Sequence, residues 1–310
     1  MVEALNPFKA VRFARDMWDN GRRASKESGV SLFRIGIEQV ALYVLNQLHR
    51  REYYMYALHD PALSWEEKRA FIGDRGASRY IDVLTPRRYA CLFRNKLVFH
   101  RYARSAGLPL AVLYGLFDPK TGATREGRPL RSPDDLRVWI EASDVKDFVI
   151  KPVESSQGSM VMPLTADGDA FVSAGGERYS CEDLVHYMTD IESLQEAYPD
   201  TPNPPRTFLF EERLRPHPEL RDFAEHTLCS TRVMTLSKCD GDIEVLAAAF
   251  KLPGEDRGVD NISRGGLCIA VNLDSGALRE GVVHKSVPPT RYRKHPVTGK
   301  TFYGFELPLW

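Results

Sequence analysis

The chain has 310 residues, a formal net charge of zero and five cysteines. A chain of this length can bury a large core, and it is predicted to hold two lobes or more. The balanced charge argues against a general nucleic-acid-binding protein, which would carry a basic excess. The cysteines are odd in number, scattered and without metal-ligand spacing, which indicates a reducing compartment and no disulfide framework. They are Cys91, Cys181, Cys229, Cys239 and Cys268.

The amino-terminal stretch carries no recognisable targeting signal. Residues 1–23 are charged throughout and lack the apolar run of a signal peptide. No window of the chain approaches the apolar length of a transmembrane helix. We therefore expect a cytoplasmic protein without a membrane span.

Residues 1–105 are predicted to form a mostly helical region. Ser64 and Glu67 have the spacing of a capping box, which predicts the start of a helix. The tyrosines within Tyr53–Tyr56 could in principle stack on nucleic-acid bases. Aromatic residues in helices more often pack in a core, and we adopt that interpretation.

A strongly basic helix is predicted to begin at Thr85-Pro86 and to end before Gly107. Its cations are Arg87, Arg88, Arg94, Lys96, Arg101 and Arg104. They form either a solvated helix face or a basic wall that faces phosphates, and the sequence leaves both interpretations open.

The segment that follows predicts one strand and one helix. Leu110–Phe117 is apolar and has strand character. Ser132 is a good helix cap with proline behind it, which predicts a short helix over Asp134–Ala142. Residues 164–205 contain glycine-rich and proline-rich turns and are predicted to be an insertion.

Phe148–Met162 is predicted to be a β-hairpin. Two apolar runs flank a polar loop that contains Gly158, and Lys151 ends the first run. Backbone N–H groups of such a loop can close over phosphate oxygens while a lysine supplies a point charge. The alternative is an ordinary hairpin with a surface lysine.

The last third of the chain predicts an antiparallel sheet. Thr207–Leu214, Ser230–Ser237, Glu244–Leu252 and Leu267–Leu273 are strand-like runs separated by turn signals. A glycine-rich piece, Val259–Gly266, precedes the last of them.

The order of these motifs resembles the ATP-grasp superfamily and, in more detail, its sugar-transfer-associated group. The matching elements are Lys96, Lys151 before a Ser/Gly loop, Glu211-Glu212-x-Leu214, Arg232, Asp260-Asn261 with Gly265-Gly266, His295-Pro296-x-Thr298-Gly299 and Leu307-Pro308-x-Trp310. The resemblance implies an α+β, two-lobed fold with antiparallel sheets after a helical amino-terminal region. It divides the chain into residues 1–105, a first lobe at 106–210 with the phosphate-covering hairpin, and a second lobe at 211–310.

The resemblance also implies roles for individual residues. Lys96 and Lys151 correspond to two lysines that contact the ATP phosphates, and Ser155, Ser156 and Gly158 to the loop that closes over them. Glu211, Glu212 and Leu214 correspond to the hinge at the adenine edge, and Glu219 is a candidate for the ribose. Arg232 and Asn261 correspond to residues at the γ-phosphate and the acceptor. Each match also has an ordinary explanation: Lys96 as one more helix cation, Arg232 in any ion pair, Asp260-Asn261 as a turn, and Glu211-Glu212 as an exposed strand end.

The family pattern leads us to expect Mg²⁺ beside ATP, but its ligands are not identifiable in this chain. An acidic residue and a Glu-x-Asn pair are expected after the Pro-x-Trp element, and Asp260 and Asp274 do not fit the pattern. We expect truncation before these ligands; the alternatives are nucleotide binding without turnover and ligands supplied by another chain.

The implied reaction is carboxylate activation by ATP, through an acyl phosphate that an amine attacks. The expected activity is therefore that of an ATP-dependent ligase in cell-surface polysaccharide biosynthesis, acting on a small carboxylate or a sugar-linked substrate. The alternatives are a catalytically inactive nucleotide-binding protein and a small-molecule phosphotransferase. Nucleic acid is not expected as a partner, and the sequence does not define the oligomeric state.

Overall fold

The computed structural model describes residues 7–85, 87–155, 158–197, 204, 206–224, 227–254, 260, 262, 265–283, 290–308 and 310. The chain divides into two compact units. One unit comprises Met1–Arg87 with Val282–Arg291, and the other comprises Arg88–Gly281 with Tyr292–Trp310.

The first unit is helical, as the sequence predicts. Its helices are α1 (Pro7–Ser28), α2 (Leu32–Asn46), α3 (Arg50–Met55), α4 (Trp65–Ala70) and α5 (Asp74–Leu84). The predicted capping box is confirmed at α4, where the Ser64 hydroxyl accepts from Glu67 N at 3.2 Å and the Glu67 carboxylate accepts from Ser64 N at 2.7 Å. Tyr53 and Tyr54 are buried in the core of this unit, so their interpretation as packing residues is confirmed.

A buried ion pair connects α2 to α4. The Lys68 ammonium lies 2.9 Å from the Glu38 carboxylate, and the side chains are only 2% and 9% exposed. Tyr53 Oη donates to the same carboxylate at 2.7 Å, and Arg34 Nε donates to its other oxygen at 3.0 Å. Burial alone would raise the pKa of Glu38, but these donors outweigh it and hold that pKa below its ordinary value.

Among the described residues, no single helix is both long and apolar enough to cross a bilayer. The pair Trp18–Ser28 and Leu32–Asn46, which is bent by 113° at its junction, reaches that length and hydropathy together.

The second unit begins with two short helices, α6 (Ala90–Arg94) and α7 (Lys96–Ser105). The prediction of one continuous basic helix is therefore wrong, because the segment forms two helices. Asn95 ends α6 and caps α7, because its Oδ1 accepts from Leu97 N at 3.1 Å and from Val98 N at 3.0 Å. Its Nδ2 donates to Glu154 at 3.0 Å, which fixes the break against a loop 59 positions further along the chain.

A seven-stranded antiparallel sheet follows. Its strands are β1 (Leu113–Phe117), β2 (Ala123–Thr124), β3 (Asp147–Pro152), β4 (Met162–Asp167), β5 (Ala170–Ser173), β6 (Arg178–Tyr179) and β7 (Phe208–Glu212), in the order β2-β1-β7-β3-β4-β5-β6. The predicted hairpin is confirmed in the pairing of β3 with β4, but its second strand is Met162–Asp167 and not the predicted run Met160–Met162. The prediction of an insertion from residue 164 is wrong for its first part, because β4 to β6 extend this sheet.

One face of this sheet packs against helices α8 (Pro133–Ala142), α9 (Cys181–Thr189) and α10 (Ile191–Ala197). The Ser132–Pro133 start of α8 is confirmed, with the Ser132 hydroxyl accepting from Asp135 N at 3.2 Å. In the core, Phe148 stacks on Phe210 with ring centroids 5.6 Å apart, and Trp139 meets both edge-on. Because side chains alternate along a strand, this packing directs the intervening residues of β3 and β7 to the opposite face.

The second sheet has five strands: β8 (Ser230–Ser237), β9 (Ile243–Leu252), β10 (Leu267–Val271), β11 (Leu278–Val283) and β12 (Arg291–Tyr292). Their order is β12-β11-β10-β9-β8. Phe250, Leu252, Leu267 and Ile269 are buried on one face. The register places Ser230 opposite Lys251 and Lys251 opposite Cys268, so these three share the other face. The α+β class with antiparallel sheets and a helical amino-terminal region is thus confirmed.

Candidate nucleotide-binding site

A cavity of about 390 Å³ lies in the second unit. Its wall is made by the start of α7, the faces of β3 and β7 that turn away from the helices, the chain after β7, and the beginning of β8. The lining includes Lys96, Lys151, Glu211, Leu214 and Asp260. Residues that are far apart in the sequence are therefore brought into one site by the pairing of β3 with β7 and by the position of α7.

Lys96 is held where α7 meets the loop after β3. Its backbone N–H donates to Val153 O at 2.9 Å, and its ammonium donates to Pro152 O at 3.1 Å, Ser155 O at 3.0 Å and Ser155 Oγ at 2.7 Å. Burial, with a smaller contribution from the nearby Lys151 charge, lowers the pKa of Lys96 to about 8. A desolvated ammonium beside a second cation gains from an anion placed between them.

Lys151 and Glu211 form an ion pair on the cavity face of the first sheet. The register pairs Val149 with Glu211 and Lys151 with Leu209, so the two charged side chains are diagonal neighbours on adjacent strands. Glu211 is only 7% exposed. The alternative of an exposed strand end is therefore wrong for this glutamate.

The chain after β7 supplies a polar edge with free backbone groups. Glu212 is fixed to β1, since its N–H donates to Val112 O at 2.8 Å and its carboxylate accepts from Val112 N at 3.0 Å. Leu214 follows with a half-exposed side chain, and its backbone N–H and C=O have no partner within the described part of the chain. Val149, Val161 and Leu228 add apolar wall nearby. A flat heterocycle that bonds to backbone groups at its edge fits such a slot.

Ser230, Lys251 and Asp260 form a charged group at the second sheet. The Ser230 hydroxyl donates to the Asp260 carboxylate, and the Lys251 ammonium lies 3.2 Å from it. Arg232 is two residues beyond Ser230 on the same face and is exposed. Burial, assisted by the Asp260 charge, raises the pKa of Cys229 to about 12, so this thiol is not a ready nucleophile.

Two glycines bring the ends of the loop that carries Asp260 together. A side chain on Gly254 would overlap the carbonyl of Gly265. The backbone at the base of this loop therefore requires glycine at position 254.

The structure brings five of the predicted binding residues to the cavity wall, namely Lys96, Lys151, Glu211, Glu212 and Leu214. Ser155 is bonded to Lys96, and Gly158 occupies the adjacent loop with a left-handed φ of 72°. Glu219 is exposed in a 3₁₀ turn at Pro218–Leu220 and does not line this cavity. Ser156 and Asn261 lie outside the described residues.

Sequence reasoning missed Lys251 and Arg213. Lys251 interrupts an otherwise apolar strand between Phe250 and Leu252, and that interruption was the available signal. Arg213 lines the cavity and is held by Asp147 at 3.6 Å. Because Asp147 is 66 positions away in the chain, no pattern in the sequence around Arg213 identifies this contact.

The residues present fit a nucleotide better than they fit a divalent cation. The described residues contain no group of three or more His, Cys, Asp or Glu side chains arranged to hold a metal. The carboxylates at the cavity are separately engaged: Glu211 by Lys151, Glu212 by Val112 N, and Asp260 by Ser230 and Lys251. No Mg²⁺ ligand is therefore assigned among the described residues.

Two lysines at a small-residue loop, beside a strand end with free backbone groups, form an arrangement suited to a nucleotide with a polyphosphate tail. The chain belongs to the sugar-transfer-associated ATP-grasp family, whose model matches residues 75–310, more than half of its length. Membership implies ATP binding. No curated protein and no solved structure gives a significant match to the chain.

Proposed function

We propose that this protein is an ATP-dependent carboxylate–amine ligase that acts in cell-surface polysaccharide biosynthesis. The observation that carries the proposal is the convergence of Lys96 and Lys151 on one cavity with the chain after β7. The family's association with sugar transfer supports the pathway, and a cytoplasmic location, where ATP is available, is part of the proposal.

The nucleotide would lie along the cavity with its base at Leu214 and its phosphates at the two lysines. ATP supplies the γ-phosphoryl group that converts a carboxylate into an acyl phosphate, which an amine then attacks with release of phosphate. Lys96 and Lys151 would offset the phosphate charge, and the loop Ser155–Gly158 would exclude water. Mg²⁺ is expected as a cofactor of the family's reaction, with ligands that we do not assign.

The second sheet would hold the acceptor. Ser230, Lys251 and Arg232 share one face, and Ser230 and Asp260 reach the cavity wall. We propose that Arg232 orients the acceptor carboxylate and that Asn261 contributes from the Asp260 loop. Arginine suits this task because its planar fork matches a carboxylate at two points.

The test is to measure ATP binding by calorimetry and then ADP and phosphate release with magnesium across a panel of carboxylates and amines. Release that depends on both a carboxylate and an amine supports the ligase. Tight ATP binding without turnover on the whole panel would instead indicate a nucleotide-binding protein. Stable transfer of phosphate to a hydroxyl compound would indicate a phosphotransferase.

A further inference from the structure

A second cavity, of about 380 Å³, is lined by residues of α7, β1 and the turn after β2. Three arginines line it, Arg101, Arg104 and Arg125, and no carboxylate does. The cations of α7 therefore line two different cavities. Lys96 lines the nucleotide cavity, whereas the two arginines further along α7 line this second one.

The three guanidinium groups are available to a ligand. None of them has an ion-pair partner among the residues that the structure describes, although several other surface arginines do, such as Arg137 with Asp134 and Glu182. Arg101 and Arg104 are three residues apart on one helix and so project from the same side. Three like charges around one concavity are unfavourable unless solvent or an anion offsets them.

The rest of the lining limits the class of ligand. Leu97, Leu113 and Gly115 offer apolar and flat surface, and Thr124 adds a hydroxyl. The backbone of Arg125 is held beside β1, because its N–H donates to Tyr114 O at 2.7 Å. We propose that this arginine groove binds the oxyanion of a sugar substrate, a phosphate or a carboxylate, with the apolar face of the ring against the leucines.

His100 lines both cavities, so the groove and the nucleotide site are separated by one side chain. This histidine is 7% exposed, and its Nε2 lies 3.1 Å from Ala111 O. An anion in the groove would thereby place its sugar next to the nucleotide cavity. The assignment of that sugar as a substrate of the ligase reaction rests on the proposed function, whereas anion binding does not.

The experiment is calorimetric titration of glucose 1-phosphate, glucuronate and uncharged glucose into the full chain. We expect one or both anions to bind, glucose not to bind, and Arg101→Gln/Arg104→Gln to lower the anion affinity roughly tenfold or more. Whichever anion binds more tightly identifies the oxyanion. Arg94→Gln, which removes a charge outside the groove, is the matched control and should leave the affinity unchanged.

Lys151→Ala and ATP titrations separate the two sites. Anion binding should survive Lys151→Ala, and ATP affinity should survive the double arginine variant. The groove assignment is overturned if neither anion binds at about 10 mM, where even a weak site is populated. It is also overturned if Arg94→Gln or Lys151→Ala weakens anion binding as much as the double variant does. Failure of ATP to bind the unaltered chain would instead overturn the proposed function and leave the groove standing.

Discussion

The Lys96 ammonium lies 2.7 Å from the Ser155 hydroxyl, across 59 positions of the chain. This bond joins the first residue of α7 to the loop after β3. It keeps the ammonium directed toward the loop that the sequence predicts will cover phosphates. The cationic end of the cavity is therefore organised by contacts within the protein, and a bound polyphosphate would meet a prearranged charge.

The lowered pKa of Lys96 predicts a pH-dependent ATP affinity. In the free protein the lysine loses its proton as the pH rises through about 8, whereas phosphate binding favours the charged form. We expect the affinity to fall above pH 8 by up to roughly tenfold per pH unit, measured by calorimetry. Lys96→Arg should flatten this profile, because a guanidinium stays protonated there. A flat profile in the unaltered chain would contradict the role of Lys96.

Removal of the Lys151 charge is expected to abolish most nucleotide binding. Lys151→Ala deletes a phosphate contact and leaves Glu211 unpaired and facing the cavity. ATP affinity should fall roughly 100-fold or more. Lys151→Ala/Glu211→Gln should recover part of that loss, because the uncompensated negative charge is gone. Lys120→Ala, on an exposed turn, is the control, and unchanged affinity in Lys151→Ala would show that the hairpin is not the phosphate site.

Arg232 is expected to affect turnover and not ATP affinity. It is exposed on the second sheet and does not line the nucleotide cavity. With a carboxylate identified by the panel, Arg232→Gln should lower kcat/KM roughly 10- to 100-fold, the equivalent of one or two charge-assisted hydrogen bonds, with ATP affinity nearly unchanged. Arg279→Gln, an exposed arginine on β11, is the control. A parallel loss of ATP affinity would place Arg232 at the nucleotide instead.

The buried pair between α2 and α4 predicts a large stability effect in the helical unit. Lys68→Met leaves Glu38 charged, buried and short of a partner, so unfolding should become easier by about 3–5 kcal/mol. Lys68→Met/Glu38→Leu should recover much of the loss, and Lys26→Met, on an exposed face of α1, should change little. Denaturant unfolding monitored by helical circular dichroism measures these differences, and a mild effect of Lys68→Met would contradict them.

Local patterns in the sequence were sufficient for much of the fold. Capping residues at Ser64 and Ser132 located helix starts, and alternation located β8 at Ser230–Ser237. The break at Asn95 escaped prediction because no glycine or proline marks it and because its side chain is engaged by Glu154, which is far along the chain. β5 and β6 were missed because such short strands gain their stability from pairing with β4 and with each other, not from their own composition.

The sequence predicted which residue types form the site, but not the directions in which their side chains point. Lys96, Lys151 and Glu211 were identified because they occur in the same order as the motifs of the family. Which way α7 directs Lys96 depends on its bonds to the loop after β3, and the sequence could not separate Lys96 from Arg101. Lys251 lies on β9 and Asp260 in the loop after it. Their contact depends on that loop folding back against the strand, which the sequence does not indicate.

The contact between Gly254 and Gly265 limits how this protein could acquire a new specificity. The two backbones are so close that a side chain at position 254 would overlap the carbonyl oxygen of Gly265. Between these anchors, Asp260 bonds to Ser230 on β8 and to Lys251 on β9, so a change at that position would remove contacts with the second sheet. Selection for a different acceptor would therefore be expected to act on the other positions of this segment, with the two glycines and Asp260 retained.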